Sequence, residues 1–232
     1  MDAVFDNYEM IGIAFATTVL LFVFSAIGSL LLGAVLVTLR VGPVAAMRRA
    51  AATYVVVVRN TPLLVILVFL SLAGPKIGLT FTFVDIVVST GWGDIRMTNA
   101  FTVAVVGMTL YTAAFVCEAL RSGVNAVPLG QAEAARAIGL PFGGVMTNVV
   151  LPQAIRAAPP PLASTMIALL KNTTVAISIL VLEAAYAMKQ LLDANTGDRW
   201  WILVAFAGIF VVLVEVVSFF SNRLERRWRV AR

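Results

Sequence analysis

The sequence contains no histidine and only one cysteine, Cys117, among its 232 residues. A disulfide needs two cysteines, structural zinc sites are built from cysteine and histidine, and a serine hydrolase triad needs a histidine. We therefore expect no metal site and no catalytic residues. The phosphate-binding pattern G-x-x-x-x-G-K-[ST] is also absent. A nucleotide that drives this protein would be bound by another chain, and we expect no cofactor in this one.

Charged residues are scarce. They make up 12% of the chain, and hydrophobic residues make up 61%, whereas soluble globular proteins average roughly 25% and 45–50%. So few charges cannot cover an ordinary water-facing surface, so the composition predicts a membrane protein. The net charge of +5 would also suit a nucleic-acid partner. The basic residues are distributed as on one face of a membrane, however, and we expect no nucleic acid.

Five apolar stretches are long enough to cross a membrane, which takes about 20 residues for roughly 30 Å of hydrocarbon. Residues 137–155 are also uncharged, but glycine and proline divide them into pieces too short to cross. The predicted fold class is an all-α membrane protein with five transmembrane helices in a single domain over residues 1–232. The predicted spans are residues 10–39, 54–73, 97–117, 161–182 and 200–222.

The distribution of lysine and arginine predicts the orientation. With a cytoplasmic C-terminus, twelve of the 17 basic residues lie on the inner side, four lie outside and Lys171 lies within a span. Basic residues accumulate in cytoplasmic loops, so we expect the N-terminus outside and the C-terminus in the cytoplasm. The first 39 residues contain no lysine or arginine. The basic region of a cleavable signal peptide is therefore missing, and we expect the first stretch to remain as a span.

The longest cytoplasmic segment, residues 121–158, carries signals for two short helices. Pro128 is expected to begin the first helix and Gly139 to end it. Pro141 is expected to begin a second helix that ends before Pro152. Two short helices joined at a glycine form a rigid elbow, which suits a groove on a partner protein.

A motif within this elbow resembles a known family. Glu133-Ala134-Ala135 is followed after three residues by Gly139 and after nine more by Val149-Val150-Leu151-Pro152. This pattern is similar to the EAA loop of bacterial ABC importer permeases, whose coupling helices sit in a cleft of the ATP-hydrolysing subunit. The resemblance implies a set of residues that couple this chain to an ATPase. They are Gly130, Gln131, Glu133, Ala134, Ala135, Arg136, Gly139, Leu151 and Pro152.

Three further segments narrow the resemblance to polar amino-acid permeases. Residues 59–64 resemble their R-G-T-P-L-L segment, and residues 111–123 resemble their Y-x-A-A-F/Y-x-x-E-x-x-R-x-G run. Residues 169–174 resemble their L-L-K-[DN]-[ST]-[ST] stretch. Within the family, residues 40–44, 58–62 and 171–174 look most like permease subunits of glutamate importers from Gram-positive bacteria.

The resemblance implies a type I permease subunit of an ATP-driven ABC importer in the bacterial plasma membrane. Its substrate would be a polar amino acid, with glutamate or a related amino acid favoured, moved by alternating access. The implied partners are a dimer of ATP-binding subunits, a second permease that is identical or related, an extracytoplasmic solute-binding protein and membrane lipid. The alternative is a stand-alone ion-coupled amino-acid carrier or channel, which predicts an inverted repeat or a selectivity ring. Neither is visible in the sequence.

Ionisable residues inside spans usually face an interior, a cavity or a partner. Lys171, followed by Asn172 and Thr173, is interpreted as a pathway residue that attracts a substrate carboxylate, with a structural ion pair as the alternative. Glu118 either pairs with Arg121 three residues on or, as the resemblance implies, meets a substrate ammonium. The expected substrate-binding set is Glu118, Lys171, Asn172 and Thr173.

Three other residues in or near the spans have two interpretations each. Arg59 and Pro62 form either an inner gate or a charge anchor beside a helix bend. Glu215 lies in the fifth span with little polar sequence around it. We expect it to pair with a residue on a neighbouring helix, because embedded acids usually have partners.

Overall fold

The structure is a computed structural model that describes residues 2–80, 86–90 and 93–228. The described residues form eleven α-helices and one β-hairpin. The helices are α1 (Asp2–Phe5), α2 (Tyr8–Val41), α3 (Ala45–Asn60), α4 (Leu63–Val68), α5 (Asn99–Asn125), α6 (Leu129–Ala137), α7 (Phe142–Val145), α8 (Leu151–Ala157), α9 (Pro159–Asn172), α10 (Ala184–Ala194) and α11 (Arg199–Trp228). Shorter turns extend several of them, namely π-helical turns at Phe69–Ala73 and Met146–Val150 and 3₁₀ turns at Pro75–Ile77 and Thr173–Ile179.

Four helical segments are long and apolar enough to cross a membrane. The predicted second span is not one straight helix, because Ala45–Asn60 and Leu63–Ala73 meet at an angle of 102°. Pro62 has no N–H to donate and disfavours helical geometry at the residue before it. Thr61 is accordingly extended, with φ −98° and ψ 128°. The described chain therefore holds four candidate spans, or five if the bent pair counts as one. The four straight segments are Tyr8–Val41, Asn99–Asn125, Pro159–Ile179 and Arg199–Arg223.

The prediction of an all-α fold is incomplete, because the segment before α5 contains a β-hairpin. Strand β1 (Ile86–Thr90) pairs antiparallel with β2 (Gly93–Met97). The β-branched side chains of β1 favour a strand, and Gly93 supplies a backbone φ of 138° that other residues rarely adopt. A side chain at Gly93 would collide with Ile13 of α2. The hairpin therefore rests on the first half of α2.

Helix α2 is central to the packing, because it contributes residues to each of the three largest apolar clusters. Leu21 packs with residues of α4, α5 and α9. Phe15 packs with residues of α10 and α11, and Leu36 with residues of α3 and α5. Ser29 and Gly33 let α5 come close to α2, since a Cβ on Gly33 would lie 2.5 Å from Val116 Cγ1. Small residues at such contacts are the usual means of tight helix packing in membranes.

The elbow within residues 121–158 is more continuous than the sequence predicts. Helix α6 ends at Gly139 as expected, where φ is 91° and the N–H of Leu140 donates to the carbonyl of Ala135 at 3.1 Å. The second part does not end before Pro152, and this prediction is wrong. It runs through α7, a π-helical turn and α8 to Ala157. Pro152 is the second residue of α8, which directly follows the π-helical turn Met146–Val150, so the regular α-helical hydrogen bonding is already interrupted where the N–H of proline is missing.

Candidate functional site

Three arginines converge on Glu118 from three helices, and we call these four residues the ionic cluster. Arg40, at the end of α2, lies 2.5 Å from Glu118 Oε1. Arg59, near the end of α3, lies 3.5 Å from the same oxygen, and Arg121 of α5 lies 3.7 Å from Oε2. The expected pairing of Glu118 with Arg121 is present, but the nearest partner is Arg40. The cluster therefore joins α2, α3 and α5.

The ionic cluster carries an excess of positive charge. Three guanidinium groups face one carboxylate, and Arg40 is only 12% exposed while Arg59 is 45% exposed. The Arg59 guanidinium also lies 5.4 Å from the centre of the Phe115 ring, a favourable cation–π distance. The carboxylate of Glu118 is thus already paired in this structure. It could meet a substrate ammonium only after one of these contacts opened.

Lys171 has a different environment from the ionic cluster. Its side chain is exposed, and no acidic side chain in the described ranges pairs with it. A structural ion pair, one of its two interpretations, is therefore not formed within the part of the chain that the structure describes. Asn172 beside it is partly buried. Thr173 is fully buried, and its hydroxyl donates to the carbonyl of Leu170 at 2.7 Å. Thr173 thus does not share the open face with Lys171.

Lys171 and Glu118 lie at different heights along the antiparallel helices α9 and α5. A Cβ on Gly123 would lie 3.3 Å from Ala158 Cβ, which aligns the two helices. Lys171 is 13 residues beyond Ala158, and Glu118 is 5 residues before Gly123. At 1.5 Å per residue their backbones differ in height by roughly 12 Å. Whether one amino acid contacts both residues therefore depends on how far the two side chains reach toward each other.

Arg59 and Pro62 flank the break between α3 and α4. Arg59 is the penultimate residue of α3, and Pro62 immediately precedes α4. Within the described residues the sequence-predicted bend is therefore present, and its arginine is tied to α5 through Glu118. Both interpretations of Arg59 fit this position, because the residue is anchored to Glu118 and lies beside the bend.

The predicted coupling residues form an exposed surface on the elbow. All nine are exposed except Ala135, which packs against Val145 and Val150 and so fixes α6 to the segment that follows. Gln153 of α8 donates to the side-chain oxygen of Gln131 of α6 at 2.5 Å. Two apolar side chains at the ends of α6 are largely open, with Leu129 and Ile138 each 80% exposed.

Sequence reasoning missed one buried acid, and another has no partner within the described residues. Glu183 is fully buried before α10, although its position at the end of an apolar stretch suggested nothing. The sequence does not indicate its contact with Thr18, which lies 165 residues away. Glu215 of α11 is exposed, and no basic side chain in the described ranges pairs with it. The expected partner on a neighbouring helix is therefore not found within the described chain.

Comparison with known proteins identifies the family. Residues 29–230 match the family described as "Binding-protein-dependent transport system inner membrane component". The chain belongs to this family. The prediction of an ABC importer permease in the bacterial plasma membrane is thereby confirmed.

Two relatives cover nearly the whole permease chain. It is 42% identical over 218 residues to the glutamate transport system permease protein GluC of Corynebacterium efficiens, which covers 94% of this chain and 93% of that protein. It is 30% identical over 227 residues to the probable glutamine ABC transporter permease protein GlnM of Bacillus subtilis, which covers 98% and 97%. Both proteins are named as permeases, and the coverage shows that the similarity extends over nearly the full length of each.

Two solved structures have the same fold. The crystal structure of an amino acid ABC transporter with histidines superposes with a TM-score of 0.81 and 24% identity, over 96% of this chain and 95% of that one. An inward-facing form of the MetNI methionine ABC transporter superposes with a TM-score of 0.61 and 20% identity, over 96% and 94%. The helix arrangement is therefore that of ABC transporter permeases.

Proposed function

We propose that this permease imports a polar amino acid, with glutamate as the favoured substrate, and that a separate ATPase drives it. The observation that carries the proposal is the 42% identity, across 94% of the chain, to a protein named as a glutamate transport permease. The family description adds that such a permease works with a binding protein. A dimer of ATP-binding subunits, a second permease and an extracytoplasmic solute-binding protein complete the proposed assembly.

The proposed topology has five crossings, with the bent pair α3 and α4 as the second. The C-terminus is then cytoplasmic and the N-terminus outside, which places the elbow and the ionic cluster on the inner side. Twelve basic residues on the inner side support this orientation. The C-terminal arginines beyond Trp228 contribute to that number and lie outside the described residues.

Lys171 belongs to the proposed substrate pathway. Ser164, Ala168 and Lys171 are exposed on one face of α9, because they are spaced by four and three residues. A lysine at this depth costs a few kcal/mol against lipid, so this face is better covered by the second permease and a water-filled pathway. An unpaired ammonium there attracts a carboxylate of the substrate. Asn172 and Thr173 then act chiefly by shaping α9, with Thr173 reached only after rearrangement.

The ionic cluster with the bend at Pro62 forms the proposed inner gate. Arg59 links α3 to Glu118 of α5 beside the break, so movement of α3 or α4 must break or carry this contact. The substrate meets Lys171 first and reaches the height of Glu118 roughly 12 Å further in. At that point the carboxylate of Glu118 can exchange an arginine for the substrate ammonium.

The exposed ends of α6 are the proposed contact with the ATPase. Leu129 and Ile138 present apolar surface to the cytoplasmic side, and apolar anchors that fill a groove dominate the energy of protein interfaces. The Gln131–Gln153 contact and buried Ala135 hold α6 rigidly on the elbow. A rigid elbow passes the motion of the ATPase to α5 and α9.

Uptake of labelled amino acids by cells with and without this gene tests the proposal. We expect glutamate uptake to be lost on deletion and restored by the intact gene. The Lys171→Met gene should restore at least tenfold less uptake than the intact gene, a loss on the order of that expected when one charged contact is removed. The matched control is Lys189→Met, which removes an exposed lysine of α10 and should restore uptake fully. Unchanged glutamate uptake after deletion of the gene would show that glutamate is not the substrate. Uptake that persists without the ATPase would favour an ion-coupled carrier.

A further inference from the structure

A fully buried carboxylate at the start of α10 contacts the first span. Glu183 is 0% exposed, and its oxygens accept the N–H groups of Ala185 at 2.9 Å and Tyr186 at 3.2 Å. The hydroxyl of Thr18, in α2, donates to the carbonyl of Ala14 at 3.1 Å and lies 3.5 Å from Glu183 Oε2. The same hydroxyl oxygen accepts the N–H of Ala184 at 3.0 Å. We call this set of contacts between Glu183, Ala184 and Thr18 the outer latch.

The outer latch does more than cap a helix. Serine, threonine, aspartate and asparagine are the preferred capping residues, and any of them could bond to the first N–H groups of α10. A fully buried glutamate costs several kcal/mol of desolvation by comparison. Its extra length lets it cap α10 and reach Thr18 at once. Glu183 therefore adds a second contact to the connection that the Ala184–Thr18 hydrogen bond makes between α10 and α2.

The latch lies at the point where the chain leaves α9. The 3₁₀ turn that extends α9 ends at Leu180, which has a left-handed backbone with φ 62° although it is not glycine. Such a conformation costs roughly 1–2 kcal/mol and persists only where the surroundings hold it. Val181, between Leu180 and the latch, is 2% exposed. The outer latch thus fixes a strained connection to α2.

From this geometry we propose that Glu183 is a positioning residue for transport. With Thr18 it holds the outer end of α9 against α2, and so sets the position of the α9 face that carries Lys171. This inference rests on the proposed function for the role of that face. The latch itself follows from the contacts alone.

Three substitutions at two neighbouring threonines test the outer latch in the assembled importer in liposomes. Thr18→Val keeps the shape of the side chain and removes its hydroxyl, whereas Thr18→Ser keeps the hydroxyl. Thr17→Val is the matched control, because Thr17 is also buried but its hydroxyl bonds only within α2, to the carbonyl of Ile13. Glu183→Gln replaces the carboxyl group on the other side of the latch with an amide that cannot titrate.

Amide hydrogen exchange in the segment 181–190 and amino-acid uptake are measured together. Thr18→Val should speed exchange about tenfold, as expected for the loss of one or two net hydrogen bonds, and should raise the half-saturating concentration for uptake about fivefold. Basal ATP hydrolysis should be unchanged in Thr18→Val. Thr18→Ser and Thr17→Val should match wild type in both exchange and uptake. Glu183→Gln should add little to Thr18→Val in the double variant, since contacting residues are not additive.

The outcomes separate this proposal from the proposed function. If wild-type liposomes take up no amino acid, the proposed function fails, while the exchange data still decide whether the latch exists. If wild type transports and Thr18→Val changes exchange but not uptake, the latch is only structural and the positioning role is overturned. Equal effects of Thr17→Val and Thr18→Val would also overturn it. Should Glu183→Gln fail to insert, the threonine pair still decides.

Discussion

Single residues inside this bundle decide how closely its helices approach. A Cβ added to Gly33 of α2 would lie 2.7 Å from Val116 Cβ and 3.1 Å from the carbonyl oxygen of Ala113, both in α5. The carbonyl is backbone and cannot turn away, so any side chain must push α2 from α5. The exclusion is therefore steric and independent of the lipid around the protein.

Gly33→Ala should destabilise the permease by overpacking, which costs about 1–3 kcal/mol. For a chain of this size that lowers the melting temperature by roughly 2–4 °C per kcal/mol. Thermal unfolding of the detergent-solubilised protein measures it. Gly208→Ala is the control, because nothing lies within 4 Å of a Cβ on Gly208 of α11. Equal melting temperatures for Gly33→Ala and the control would contradict the packing described for α2 and α5.

Glu183 lies outside the membrane-spanning segments, between Pro159–Ile179 and Arg199–Arg223. Burial raises its pKa from 4.5 to about 7, against the opposing effect of N–H donors from Ala185 and Tyr186 and the hydroxyl of Thr18. The folded-state pKa thus lies above the unfolded value. The protonated group contributes stability that is complete below pH 4.5 and is lost as the pH rises through about 7.

The pH dependence of stability should therefore change in Glu183→Gln, which cannot titrate. Between about pH 5 and about pH 8 the wild type should lose stability relative to this variant. The melting temperatures of both proteins across that range measure the difference. Parallel curves would show that Glu183 does not change its protonation there.

At the scale of helices and loops, the sequence predicts local breaks well and distant contacts poorly. Pro62 and Gly139 act on their own backbone, so the bend before α4 and the end of α6 could be predicted. Arg40 reaches Glu118 across 78 positions, and no local pattern indicates that pairing. The β-hairpin was missed because each strand has only five residues and lies in a short segment between long apolar helices.

Gly139→Val should disturb the end of α6 and weaken coupling. A β-branched residue at a φ of 91° is strained, at a cost of about 1–2 kcal/mol. We expect less stimulation of ATP hydrolysis by substrate, with normal insertion into the membrane. ATP turnover in the reconstituted complex measures this effect. Gly143→Ala in α7 is the control, because Gly143 has a right-handed backbone and open space around it. Normal stimulation of ATP hydrolysis in Gly139→Val would show that the geometry at the end of α6 is not needed for coupling.

Across the whole molecule, apolar composition and the distribution of charge predicted a helical membrane protein, and the motifs predicted its family. The residues that touch substrate could not be predicted to the same degree. Lys171 and Thr173 are two positions apart, yet one is exposed and the other fully buried. Burial of this kind is set by the helices packed around α9, and a motif does not contain them. The substrate sites therefore follow from three-dimensional packing.

Accumulation of labelled glutamate in liposomes tests the central claim, that a separate ATPase drives this permease through α6. The liposomes contain the permease, its second subunit and the ATPase, with the solute-binding protein supplied on the opposite side. We expect ATP-dependent accumulation that Leu129→Asp abolishes together with the stimulation of ATP hydrolysis, because a charge replaces an apolar anchor that is 80% exposed. Accumulation without the ATPase, or unchanged accumulation in Leu129→Asp, would contradict the account.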